Sequence, residues 1–301
     1  MDNIYIINGS HIFIENALIL SNKFNIPIQQ DFNPKKGDIY IVFGSHEIVL
    51  NLLEAQYRYG CSYIIMNSEQ IGSNYFHNKY YLRLLKENIL FDYNHLTSKY
   101  LKDTFDIDCL SYFFFDFMKH EQVEDRDIDI LFIGTKNDKR QKLYEDLVKK
   151  YPNKNIEFNF EWKLDTPMKM KEKLSKAKYV LNLPFYSENS LETHRINNAL
   201  SCGCTVVSLF SKDDLANEYY KDYIYFTEDI LTYFDNNLEI RTPHGVPNLL
   251  SHGGPCSQKK SFEELITDLS KKIYLHNLFI INQLKDKMSL YTNANKKAED
   301  L

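Results

Sequence analysis

Glu192 and Arg195 stand three residues apart where a helical pattern (THRINNAL, residues 193–200) begins and turns apolar. That spacing puts both side chains on one helix face. A helix N-terminus presents free amides and the positive end of a dipole, which suits a phosphate. A guanidinium there adds a bidentate anion donor. The same pair reads equally as a capping glutamate ion-paired to an arginine. Gly134 closes the apolar run IDILFI and lacks a Cβ, so backbone can approach a phosphate at that point. It is a single glycine and not part of a GxGxxG fingerprint. Four more polar positions follow short apolar runs: His11, the pair His46 and Glu47, Glu69, and Asp92. Glu47 also fits a first-turn carboxylate that complements a helix dipole, and Asp92 a turn or cap. His11 and Glu69 have no evident capping task.

These positions need a scaffold, and the hydrophobic pattern supplies one. Apolar β-rich runs occur at Asn3–Ile7, Gly37–Phe43, Ser62–Met66 and Asn88–Phe91. Helical patterns lie between them: Ile12–Lys23, Ser45 or His46 to Tyr59, Tyr80–Glu87, and a stretch capped by Asn94 that reaches Leu101. An aromatic run, YFFFDFM (residues 112–118), then reads as a buried strand or a domain seam. A short charged stretch, HEQVEDRD (120–127), follows, and the alternation restarts. Strands are expected at Ile128–Ile133, Ile156–Phe160, Tyr179–Leu183, Thr205–Ser208 and Tyr223–Phe226. Helices are expected at Gln141–Lys150, with Leu143, Leu147 and Val148 on one face, and from Thr166 or Pro167 to Lys176, with a solvated outer face. Another runs from a capping box of Asn189 and Glu192 to a left-handed Gly203. Glu228–Phe234 is helical, and Ser261 with Glu264 caps a long helix to about Met288, whose apolar stripe Asn277 interrupts. The tail after Leu290 reads as frayed. Alternating strands and helices give right-handed βαβ units and parallel sheets, with ligands beyond the strands' carboxyl ends. The expected units are residues 1–118, 119–260, and a C-terminal helix and tail at 261–301.

The bulk numbers narrow the class. With 301 residues, 44% of them hydrophobic and 14% aromatic, the chain can bury two α/β cores. A formal charge of −5 lacks the basic footprint of a phosphate-backbone binder, so nucleic acid is not expected as a partner. Cys61, Cys109, Cys202, Cys204 and Cys256 show neither zinc-site nor CxxC spacing and read as small buried residues in a reducing compartment. His244, His252 and Cys256 lie in a Gly/Pro-rich loop without regular ligand spacing, so no metal is expected. There is no signal-peptide pattern and no apolar run of the roughly 18 residues a membrane span needs. The expected location is the cytoplasm, a host's if the chain is viral.

The order of motifs resembles GT-B glycosyltransferases, in particular the CgeB-like and family-1-type group. The matching pieces are DIDILFIGTKNDKR (127–140), YVLNLPF (179–185) and LETHRINNALSCGCTVVS (191–208), with looser matches at YIIMNSEQI (63–71) and FDYN (91–94). The resemblance implies two Rossmann-like domains facing across a cleft and braced by the last helix. It also implies a nucleotide-sugar donor held by the second domain, no cofactor, and metal-independent transfer to a glycan or another small or polymeric acceptor. Carried over residue by residue, Gly134 would lie near the donor phosphates, and Glu192 and Arg195 would face diphosphate or sugar. Asn198 stands where many relatives carry a ribose-holding glutamate. Leaving-group charge would then fall to Arg195, helped by Lys139 or Arg140. An inverting enzyme would take an acceptor proton on Glu69 or, second, on His11. A non-catalytic nucleotide-sugar binder is the alternative. Transfer to nucleic-acid bases is disfavoured by the acidic charge.

Overall fold

The computed structural model describes residues 4–120, 123, 125–160, 167–186, 190–237 and 262–299. Asn189 and Ser261, expected as caps, and the loop at 242–256 lie outside them.

Two parallel sheets build the molecule. The first contains β1 (Ile4–Asn8), β2 (Ile39–Phe43), β3 (Ser62–Asn67) and β4 (Ile89–Asp92), in that spatial order. Its helices are α1 (Ile14–Phe24), α2 (Val49–Tyr59), α3 (Lys79–Glu87) and α4 (His95–Phe105). Asn94 caps α4 by accepting from Thr97 N at 3.1 Å, as its sequence position suggests. The helix expected from Ser45 is broken: Ser45–Glu47 forms a 3-10 turn, and α2 starts at Val49.

The second sheet has order β6-β5-β7-β8-β9, all parallel. The strands are β5 (Ile128–Ile133), β6 (Ile156–Asn159), β7 (Ala177–Asn182), β8 (Thr205–Leu209) and β9 (Tyr225–Thr227). Around them lie α5 (Asp138–Lys150), α6 (Pro167–Ser175), α7 (Thr193–Ser201), α8 (Asp214–Tyr220), which the sequence pattern did not reveal, and α9 (Ile230–Asn237). The order reverses between β5 and β7. That switch point is where open α/β sheets leave a crevice for ligands. Both sheets are covered on both faces, each face by its own apolar cluster, as parallel sheets require.

Three sequence expectations shift. α5 starts at Asp138 because Asn137 caps it, accepting from Arg140 N at 2.9 Å. Arg140 is buried on it while Val148 is 40% exposed, so the helix's inner face is rotated from the expected one. α6 does not turn all its lysines to water: Lys171 is buried and ion-paired to Glu15 of α1 at 3.1 Å. The final helix, α10, runs Phe262–Glu299, so helix continues past Met288 through the stretch read as frayed.

The aromatic run 112–118 is no strand. It is an extended seam whose residues alternate between the two cores: Phe113 and Phe115 enter the first domain's cluster, Phe114 and Phe117 the second's. Helix α10 follows the same division, with Leu269 and Ile273 in the second core and Ile280 in the first. Asn277 has its reason here. Its side chain accepts from Phe114 N at 3.2 Å and donates to Phe114 O at 2.7 Å, closing both backbone groups of a strand-like residue that has no strand partner. The architecture is two Rossmann-like domains with a C-terminal helix bracing them. Among the described residues no helix is long and apolar enough to cross a membrane. Cys61, Cys202 and Cys204 are buried free thiols, and burial pushes Cys204 up to about 12.

Candidate functional site

A cavity of about 410 Å³ opens between the carboxyl ends of the two sheets. Its first-domain wall comes from the loops after β1, β2, β3 and β4: Ser10 and Phe13, His46 and Glu47, Ser68 to Gln70, and Tyr93. The second-domain wall comes from the ends of β5 and β7 and from α5 and α7: Thr135, Arg140, Phe185, Tyr186, Glu192, His194, Arg195 and Asn198. One tight approach shapes the first wall. A Cβ on Gly9 would meet Gly44 O at 2.5 Å, so the loops after β1 and β2 close on each other only as glycines.

Three of the expected residues form one cluster at the switch point. Glu192 sits between two arginines, with Oε2 2.6 Å from Arg195 Nη2 and Oε1 3.2 Å from Arg140 Nη2. Glu192 is the residue before α7, and its side chain makes no cap bond. Its carboxylate turns to the arginines instead, and Asn189, the other half of the expected capping box, lies outside the described residues. Arg195 donates from Nε to Ile133 O at 3.0 Å and from Nη1 to Asn182 Oδ1 at 3.1 Å, tying α7 to the ends of β5 and β7. Arg140 donates to Thr135 O at 2.7 Å and to Leu183 O. Its guanidinium is stacked near Phe132 and Phe185, at 4.8 and 5.2 Å from the ring centroids. Burial and the neighbouring Arg195 push Arg140 down to about 10, with Glu192 opposing. Arg140 Nε is buried without a partner, a costly state for a charged group's N–H unless a ligand answers it.

Gly134 belongs to this cluster in a way its sequence position does not reveal. A Cβ there would stand 2.8 Å from Phe132 Cζ and 3.0 Å from Arg195 Nη2. The missing side chain makes room for the arginine. Asn198 lines the cavity, and its Nδ2 lies 3.0 Å from His194 Nε2. His194 packs on Phe13 and Phe115, with centroids at 5.3 and 4.9 Å. Burial first, then Lys171 and Arg195, push it down to about 3 against the pull of Glu15, so the imidazole is neutral. Lys139 is exposed and off the cavity wall, and so is His11. Lys139 precedes the lining Arg140 in the first turn of α5 but lies on an exposed face, and His11 opens a 3-10 turn whose neighbours Ser10 and Ile12 line the cavity instead.

Glu69 does line the cavity, held by Ser73 Oγ donating at 2.6 Å. His46, read from sequence as a helix-start residue, joins it: Nδ1 lies 3.2 Å from Glu69 Oε1, outside hydrogen-bond alignment. Behind them Asp92 is fully buried, accepting from Asn67 Nδ2 at 2.6 Å and from Asn94 N at 2.7 Å. Burial raises its pKa well above the usual carboxylate range, and its bonds make it a turn residue, the plainer of its two sequence readings. Tyr186 spans the two walls, since a Cβ on Gly72 would sit 2.9 Å from the Tyr186 ring. Sequence reasoning missed His194, although its i,i+4 spacing from Asn198 was a usable signal. It also missed Tyr186 and the Glu15–Lys171 pair, for which no local signal exists. Among the described residues no three His, Cys, Asp or Glu side chains gather as a cation site would need. His244, His252 and Cys256 lie outside those residues.

The arrangement offers a buried guanidinium pair with its carboxylate at one end and a carboxylate beside an imidazole at the other. No protein-family model matches the chain, and no curated protein matches it. Solved structures do. Anabaena HepE in complex with UDP aligns at TM-score 0.50 and 9% identity. The same protein with UDP and glucose aligns at 0.52 and 10%, and with UDP-glucose at 0.51 and 10%. Each alignment covers 95% of this chain and 99% of the other. At that identity the likeness is one of fold.

Proposed function

We propose that this chain is a GT-B glycosyltransferase of the CgeB-like type that moves a sugar from a uridine diphosphate sugar to a hydroxyl acceptor without a metal or other cofactor. The observation that carries this reading is the Arg140–Glu192–Arg195 cluster at the switch point of the second sheet, facing Glu69 across a cavity of about 410 Å³. The fold likeness to complexes with UDP and UDP-glucose agrees with it. Transfer breaks the bond from the anomeric carbon to the diphosphate oxygen, and the electron pair leaves with the diphosphate. The two guanidiniums, already desolvated and fixed by backbone carbonyls, stabilise that charge without reorganising. The acceptor oxygen bonds to the anomeric carbon, and in an inverting reaction its proton passes to Glu69. Asn198 offers an amide to donor hydroxyls, and Gly134 keeps the Arg195 guanidinium in place. Of the remaining expected residues, Lys139 and His11 act at most from outside the cavity.

UDP-glucose hydrolysis and transfer, with melting curves, test this. Arg195→Lys and Arg195→Ala should lose turnover by about two orders of magnitude, the loss typical of one transition-state anion donor. Unchanged turnover in a folded Arg195→Ala protein would overturn the site. One observation favours a second reading, a nucleotide-sugar binder without turnover: Glu192 already balances charge on both arginines. Stabilisation by UDP-glucose with no hydrolysis or transfer would select it.

A further inference from the structure

The cavity divides its charge between its two walls, and the division bears on the acceptor. Both lining guanidiniums, Arg140 and Arg195, belong to the second domain. Among the described residues no lysine or arginine lines the first-domain wall, which instead carries Glu47 and Glu69 with Ser10, His46, Ser68 and Gln70. Among the described residues neither carboxylate has a lysine or arginine beside it. Glu69 is met by Ser73 and His46, and Glu47 by His46 Nε2 at 3.4 Å. Two buried polar atoms on this wall have no partner, Ser68 Oγ and His46 Nδ1. Buried polar atoms in folded proteins are rarely left unanswered. The Glu47 and Glu69 carboxylates beside these atoms fit hydroxyl or ammonium groups, which donate. They repel carboxylates and phosphates, which only accept.

We infer that the first-domain half of the cavity takes a neutral or amine-bearing polyhydroxyl acceptor and discriminates against acceptors that carry a carboxylate or phosphate next to the reacting hydroxyl. This rests on the proposed function for calling the ligand an acceptor, but the charge preference is a property of the wall alone. An anionic group beside two carboxylates at hydrogen-bonding range meets like charge on a partly desolvated surface, which weakens binding about tenfold or more.

The test is binding of three methyl glycosides, of glucosamine, glucose and glucuronate, followed by ligand-observed NMR with and without saturating UDP. The glucosamine and glucose compounds should bind at least about tenfold tighter than the glucuronate compound, and Glu47→Lys should narrow that gap by weakening the amine and strengthening the anion. Glucuronate binding as tightly as the neutral sugar would overturn the inference. So would an unmoved gap in Glu47→Lys, or failure of all three to bind. UDP failing to bind while the acceptor order stands would remove the proposed function and leave this inference intact.

Discussion

Replacing Glu192 by glutamine separates the two tasks its carboxylate performs. In the folded chain it neutralises Arg140 and Arg195 together, at 3.2 and 2.6 Å. Its side chain is only 17% exposed, and that of Arg140 3%. Removing one member of a buried ion pair typically costs about 3–5 kcal/mol. Glutamine keeps one hydrogen-bond acceptor and the site opens on a cavity, so about 2–3 kcal/mol is the working figure here. At roughly 2–4 °C per kcal/mol that lowers the melting temperature by about 4–12 °C. The variant is then left with two adjacent buried cations and no counter-charge, which is a better anion site than the parent's. UDP or inorganic pyrophosphate should therefore raise the melting temperature of Glu192→Gln more than that of the parent. Saturation to a hundred times Kd would return about 2.7 kcal/mol. Differential scanning fluorimetry across a ligand series reads both effects. An unligated variant as stable as the parent, or one that gains less from pyrophosphate than the parent does, would refute the reasoning that the carboxylate holds the place of an anion.

Other expectations follow from the same geometry. Gly134→Ala should leave the fold in place, displace the Arg195 guanidinium, whose Nη2 would stand 3.0 Å from the new Cβ, and reduce UDP-sugar turnover by about a hundredfold, the usual penalty for misplacing a positioned group by about an ångström. Lys171→Met should destabilise by about 3–5 kcal/mol because the buried Glu15 loses its lysine and keeps only Met118 N and the His120 ring, and Glu15→Leu added to it should recover much of the loss in chemical denaturation. Asn277→Leu orphans both backbone groups of Phe114 and should cost about 1–3 kcal/mol in the same assay. His194 titrates at about 3 in the fold against 6.5 as its ordinary value, so the unfolded chain binds its proton first. Stability from this group is complete above pH 6.5 and declines as pH falls toward 3. The lowered Glu15 carboxyl adds a loss of the same sign at lower pH. In His194→Asn the decline beginning below pH 6.5 should be shallower, as pH-dependent melting would record.

Most of the scaffold was legible because parallel strands buried on both faces leave continuous apolar runs, as at Ile39–Phe43 and Ile128–Ile133. Glu192, Arg195 and Arg140 were legible as charges next to strand ends. What they touch was not. Nothing local says that one carboxylate serves two arginines 52 and 3 residues away in the chain. Gly134 reads from sequence as a phosphate glycine, and nothing local says that its missing Cβ also leaves space for a side chain that arrives from α7. Helix α8 was missed because seven residues carry too little periodicity, although Asp213 was a usable cap and accepts from Ala216 N at 3.1 Å. Lys171 read as a solvated lysine because its partner lies on the other domain.

The seam at Phe113–Phe117 has a consequence for recombination. Successive side chains there are dealt alternately to the two halves, and Asn277 fastens the middle of the run from a helix more than 160 residues downstream. A chimera that takes its first half from one relative and its second from another therefore cannot be cut cleanly anywhere between Phe113 and Phe117. Each junction in that interval would hand one parent's phenylalanines to a mould shaped by the other. Crossovers that keep 113–117 and 262–280 from a single parent preserve the fit, so the inherited unit is the seam together with its distant helix, not either half of the chain.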